Sequence, residues 1–181
     1  MKLELSKAEM LARWMSRRYL EPVRADCQVE RSDAVDLAAL CAREARDWYL
    51  ELLATAPAEL LSPVDVAKDC EAEAAADGYS VDVWMPENVV RPLSVRLAGW
   101  YRAASVVAPD SPAARRCASR FGAGGVAEPV AVLEPDGRLR LFSRPTSRRA
   151  PVVESLMAAV DTGEELYRFD ERALSLIKEK L

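Results

Sequence analysis

The 181 residues contain no histidine. That absence removes Ser-His-Asp and Cys-His catalysis, zinc sites that use imidazole, and the side chain that most readily changes charge near neutral pH. The four cysteines, Cys27, Cys41, Cys70 and Cys117, stand far apart and form no C-x-x-C pair. Without a secretory signal they read as reduced thiols, most of them packed as small apolar groups, with a Cys₄ zinc site as the weaker alternative. Only five lysines are present, Lys2, Lys7, Lys68, Lys178 and Lys180. No apolar run approaches the roughly 18 residues of a spanning helix. The start, Met1-Lys2-Leu3-Glu4, is charged at once and lacks a signal-peptide core. These absences point to a soluble, intracellular protein with no metal, no cofactor and no membrane partner.

Half of the residues are hydrophobic by type, too many for a disordered chain. A chain of this length buries roughly two-thirds of its unfolded surface, so neither a disulfide nor a metal is required to hold it. One domain over 1–181 is expected. Charge is uneven along it. Residues 1–78 carry 10 basic and 16 acidic side chains, residues 79–150 carry 11 and 6, and residues 151–181 carry 4 and 7. Every basic residue of the central block is arginine, whose planar fork pairs with carboxylates and phosphates through two bonds.

Ser6-Lys7-Ala8-Glu9 is a capping-box pattern. Behind it Leu11, Trp14, Met15 and Arg18 share a helical face that ends near Tyr19 or Leu20, before Glu21-Pro22. A second helix is expected from Ser32 or Asp33, because Leu37, Leu40, Cys41, Ala45, Trp48 and Leu52 recur at three- and four-residue steps; it ends before Pro57. A helical turn is plausible at 58–61, and 64–78 reads equally as loose helix or solvated loop. From Tyr79 the period becomes two. Tyr79, Val81 and Val83 alternate with Ser80, Asp82 and Trp84 in a half-buried strand. A second strand follows over 90–97, with Pro92 marking an edge or a bulge. A third is expected from Trp100 to Val106. Ser111-Pro112 opens a helix that runs to about Phe121, and Gly122, Gly124 and Gly125 end it in a joint. Residues 129–133 and 138–142 flank Pro135-Asp136-Gly137, a hairpin whose Gly137 closes the turn. A strand near 152–160, with helix as the alternative, precedes a last helix capped by Asp170. The expected fold class is α+β. Its helical part covers 1–78 and its small, mainly antiparallel sheet 79–160, with an inserted helix near 111–121 and a terminal helix within 161–181.

Few constellations suit catalysis. The glycines at 122–125 follow a helix, lack a Lys-Ser/Thr pair and miss the third dinucleotide-binding glycine. The carboxylate pairs Glu71/Glu73 and Glu164/Glu165 lie in solvated-looking runs, and Ser94, Ser119 and Cys117 have no visible activator. The chain is therefore not expected to be an enzyme. The arginines form the richest pattern. Arg91, Arg96, Arg115, Arg116, Arg120, Arg138, Arg140, Arg144, Arg148 and Arg149 are candidates for an interface or for DNA, with Arg138 and Arg140 on one face of their strand. Surface or intersubunit ion pairing competes with phosphate contact for them. The four tryptophans, Trp14, Trp48, Trp84 and Trp100, are expected to anchor the core, each needing a partner for its N–H if buried.

The helix ending in Trp48-Tyr49, the block from Trp84-Met85-Pro86-Glu87-Asn88 to Gly99-Trp100, then Pro129-Val130-Ala131-Val132 and Pro135-Asp136-Gly137 up to Phe142-Ser143 follow one another in a telling order. Over roughly residues 35–145 this order resembles small structural proteins of tailed phages, of the crAss-like kind. Asn88 stands where that pattern has an acid, and Val89 where it has a bulkier group. The resemblance implies a head–tail connector or ring protein of the virion neck, assembled in the host cytoplasm. It would form a twelve-fold ring of copies under a portal protein, beside neighbouring tail proteins, with non-specific DNA contact in the channel. The rival expectation is a cytoplasmic regulatory or nucleic-acid-associated module that uses the same arginines.

Overall fold

The computed structural model describes residues 1–18, 37–117, 119, 121–122, 125–143 and 150–177, with only the backbone of residue 37. In chain order the elements are β1 (Lys2–Ser6), α1 (Lys7–Arg18), α2 (Leu37–Thr55), β2 (Val64–Asp65), β3 (Glu71–Ala74), β4 (Ser80–Trp84), β5 (Val89–Leu97), β6 (Ala104–Val107), α3 (Pro112–Cys117), β7 (Ala131–Leu133), β8 (Leu139–Phe142), β9 (Val153–Val160) and β10 (Leu166–Asp170). Short 3₁₀ turns occupy Ala58–Leu60, Ala67–Asp69 and Glu171–Leu176. The fold is α+β, with its two long helices, α1 and α2, in the N-terminal half and a curled, mainly antiparallel sheet after them. The chain divides into two compact units, Met1–Ser62 with Asp161–Leu181, and Pro63–Val160.

In the first unit β1 and β10 pair antiparallel, with Leu3 opposite Phe169 and Leu5 opposite Tyr167. A two-stranded ribbon is marginal in water by itself, so it needs a covered face. The helices supply the cover. Met10 and Trp14 of α1 are buried, and Cys41, Ala45, Tyr49, Leu52, Leu53 and Ala56 form one buried stripe at helical spacing along α2. Aromatic edges dominate the packing: Tyr49 meets Tyr167 at 5.0 Å and Trp48 meets Phe169 at 5.6 Å, with interplanar angles of 65° and 87°. The Tyr49 hydroxyl accepts the Arg168 N–H at 3.2 Å and so ties α2 to the ribbon. The capping box forms as expected, with the Ser6 N–H and hydroxyl both donating to Glu9 Oε2 at 2.9 and 2.8 Å.

The second unit carries eight strands in the order β2-β9-β5-β6-β7-β8-β4-β3. Its two edge strands, β2 and β3, are separated by residues 66–70 alone. Six Cα steps reach about 20 Å, whereas seven strand spacings across a flat sheet cover about 34 Å. The sheet must curl. Val66, Val81, Val83, Val95, Leu97, Trp100, Ala104, Ala131, Leu139, Leu141, Leu156 and Ala158 form one buried cluster drawn from nearly every strand. Asp65 pins the seam, its Oδ1 accepting from the N–H groups of Ala67 at 3.0 Å and Leu156 at 2.9 Å. The one parallel pair among the described residues, β6 with β7, requires a crossover, and α3 lies in it. Ala114 and Cys117 of α3 cover Val132 and Phe142 on the outside of the sheet.

Several expectations change on the structure. The stretch 64–78, read as helix or loop, contains β2, β3 and a 3₁₀ turn, because its alternate residues Ala72 and Ala74 face the cluster side of β4. The helical reading of 1–78 also omits β1, and the terminal segment contributes β10 and a 3₁₀ turn, capped by Asp170 as expected. Pro92 marks a bulge rather than an edge: β5 lies between β9 and β6, with a register shift between Pro92 and Ser94. Gly99, at φ +91°, turns the chain, so the third strand begins at Ala104 instead of Trp100. The helix α3 ends at Cys117, short of Phe121. The starts proposed for α2 at Ser32 or Asp33 lie outside the described residues. Of the four tryptophans, Trp100 is a core anchor whose N–H donates to the Ser143 carbonyl at 2.9 Å, while Trp84 is 41% exposed on the outer face of β4.

Asp170 is buried and accepts from the chain's amino terminus at 3.3 Å and from Arg172 Nε at 2.8 Å. The Arg172 side-chain and backbone hydrogen bonds hold its carboxyl at about 2. A native value below the unfolded one, near 3.9, makes this contribution complete above about pH 4 and lost as pH falls through about 2. Asp170→Asn should therefore melt below the native protein at pH 6, with the gap closing as pH falls from 4 to 2. Thermal melts across that range check this, and a gap independent of pH would contradict it.

Candidate functional site

The arginines of the second unit fall into two classes. In the first the strands themselves supply the counter-ion. Arg140 of β8 stands directly opposite Asp82 of β4, and Arg138 lies two residues away on the same face. Asp82 accepts from Arg138 Nη1 at 2.7 Å through one oxygen and from Arg140 Nε at 3.1 Å through the other. The Asp82 side chain is only 10% exposed, and its hydrogen bond is the main cause of the raised Arg140 pKa. Arg138 also reaches Asp136 at 3.4 Å. Arg96 of β5 pairs with Glu154 of β9 at 3.0 Å, both about half exposed, an arrangement worth little in water. Arg91 is half-buried on β5, and burial lowers its pKa.

The second class has no such partner. Arg115 and Arg116 are exposed on α3, and Arg102 is exposed after the Gly99 turn; none makes an ion pair among the described residues. These positions form two groups, Tyr101 and Arg102 in the loop after β5, and Arg115, Arg116 and Phe121 on and after α3. A Cβ on Gly122 would lie 2.0 Å from the Arg116 carbonyl oxygen, so only glycine lets the chain close on the end of α3. Farther along, the Val126 carbonyl accepts the Tyr101 N–H at 3.1 Å, and the Val152 carbonyl accepts the Ala98 N–H at 2.8 Å. Each group has one exposed aromatic, Tyr101 at 77% and Phe121 at 97% exposure. The candidates Arg120, Arg144, Arg148 and Arg149 lie outside the described residues.

Tyr101, Arg102 and Phe121 are absent from the candidates drawn from the sequence. Tyr101 and Arg102 were absorbed into an expected strand, and Phe121 into an expected helix end. The available signal was Gly99: a turn there sends Trp100 into the core and leaves the next residues outside.

The two groups offer guanidinium forks and exposed aromatic faces, a chemistry for gripping carboxylates or phosphates and stacking on flat groups. Of the candidate nucleophiles, Ser119 lies in the loop after α3, its hydroxyl accepting the Phe121 N–H at 3.4 Å, and Ser94 is half-buried on β5. Cys117 is buried and burial pushes its thiol pKa up, the opposite of an activated cysteine. Glu71 and Glu73 are exposed on β3 opposite Trp84 and Asp82, and Glu164 and Glu165 pair with Lys7 at 3.5 and 3.7 Å. The chain matches no family model, no curated protein and no solved structure.

The two classes should separate by stability. Asp82→Ala leaves two guanidinium groups without their acceptor and should cost about 1–3 kcal/mol. The double charge reversal Arg115→Glu with Arg116→Glu should stay within about 0.5 kcal/mol of the native protein. Urea denaturation ranks them, and the reverse order would refute the assignment.

Proposed function

We propose that the chain is a non-enzymatic assembly protein. In this reading it is a virion head–tail connector subunit of the tailed-phage type it resembles, which works by docking its exposed arginines and aromatics on an acidic surface. The observation that carries the reading is that Arg102, Arg115 and Arg116 are exposed and without ion pairs among the described residues, with the exposed Tyr101 next to Arg102 and the exposed Phe121 beyond the end of α3. Arginine and aromatic side chains are the residues that dominate protein interfaces when they become desolvated. The acidic surface is that of a neighbouring copy or of the portal. A head-to-tail ring brings two different surfaces of the same chain together, and a chain of net charge −4 with a basic central block suits that geometry. Catalysis, metal and cofactor have no part in this function. Among the described residues no helix is long and apolar enough to cross a membrane, and the reading requires none.

The same residues support a second reading, because guanidinium and aromatic groups together also bind nucleic acid. That reading predicts DNA binding by the isolated monomer, weakening steeply as salt rises.

Native mass spectrometry with negative-stain imaging decides between them. The native protein, alone or mixed with a candidate portal protein, should form closed oligomers. The triple variant Arg102→Glu, Arg115→Glu, Arg116→Glu should remain folded and monomeric. A triple variant that assembles like the native chain would remove the docking surface, and a monomer that ignores the portal but binds DNA would favour the second reading.

A further inference from the structure

The first unit carries a second surface, which does not depend on the exposed arginines. An open groove of about 620 Å³ runs beside α2, with Trp14, Trp48 and Leu52 lining it and Leu176 on its border. Its rim is acidic. Glu44, Asp47 and Glu51 recur along α2 at three- and four-residue steps, and Thr55 continues the row. Glu44 is engaged by Arg18 at 3.9 Å, and Arg18 also lies over the Trp14 ring at 5.8 Å. Asp47 and Glu51 are exposed and make no ion pair among the described residues.

Two further facts bear on what the groove can hold. Trp14 is only 4% exposed, and its indole N–H has no hydrogen-bond partner among the described residues. The Nε1 atom itself is inaccessible, so Trp14 offers the groove an apolar wall and no donor. Leu176, by contrast, is 47% exposed, although it follows the buried Ala173 and Leu174. From Glu44 to Thr55 the lining spans eleven residue steps of helix, about 16 Å, or three turns of a partner helix.

We infer that this groove binds a basic amphipathic helix of a partner protein. The partner's apolar side chains would lie against Trp48, Leu52 and Leu176, and its lysines or arginines would face Asp47 and Glu51. This is helix-in-groove recognition, with the charge of the rim selecting the sign of the partner.

The probe is a synthetic 14-residue peptide with leucines on one helical face and lysines on the other, beside its counterpart with glutamate for lysine. The full chain is labelled with ¹⁵N, and the Trp14 indole resonance is assigned by Trp14→Phe. The lysine peptide should bind and shift that resonance as the groove beside the Trp14 ring fills, and the glutamate peptide should leave it in place. Asp47→Lys with Glu51→Lys should weaken the lysine peptide at least tenfold, and Leu176→Asp should do so separately; both changes are at exposed positions. The inference is overturned if neither peptide moves the Trp14 signal, if both move it alike, or if affinity survives the double charge reversal. It is overturned equally if a small apolar dye occupies the groove and the lysine peptide does not compete with it.

Discussion

The shape of residues 63–160 depends on a short splice. Five residues, 66–70, join the first and last strands of an eight-stranded sheet, and they cannot reach across it unless it curls. Once it curls, each strand has an inside and an outside. Valine, leucine and alanine side chains fill the inside, and the period-two pattern of β4 and β8 puts Asp82, Arg138 and Arg140 on the outside together. The paired arginines thus follow from register: a slip of one residue would move Asp82 into the apolar cluster and Val81 out of it. The Asp65 hydrogen bonds to Ala67 and Leu156 hold the splice against β9.

The same geometry separates arginines that hold the fold from arginines available for work. A strand arginine with a carboxylate opposite it has spent its charge. The parallel β6–β7 pair, however, cannot be joined by a tight turn. Its crossover carries α3 and the glycine-bearing loop beyond the sheet, and Arg115, Arg116 and Phe121 ride on it. Loops supported by a rigid sheet are where binding residues collect. The central basic block of the sequence therefore resolves into a structural part and an exposed part.

Much of this was legible before any coordinates. The Ser6-to-Glu9 capping box, the helical stripe of α2 and the Pro135-Asp136-Gly137 hairpin are local signals, and each formed as read, whereas β4 keeps its alternation but is buried on both faces from Ser80 to Val83. What was not legible is long-range. β1 finds its partner about 165 residues later in β10, and β3 is held only by β4, so neither shows a strong local pattern. Trp84 read as core because tryptophan usually is, but its position in β4 faces out. Asp82 was seen only as the polar half of an alternation, since its partners lie across a fold that the sequence does not display. The face shared by Arg138 and Arg140 was readable; the carboxylate between them was not.

Arginine-specific footprinting with phenylglyoxal, read by peptide mass spectrometry, tests the separation of arginines without any partner. Arg102, Arg115 and Arg116 should react at rates close to those of an unstructured peptide, while Arg138 and Arg140 should react at least tenfold more slowly and speed up in Asp82→Ala. Equal rates at all five positions would contradict the account.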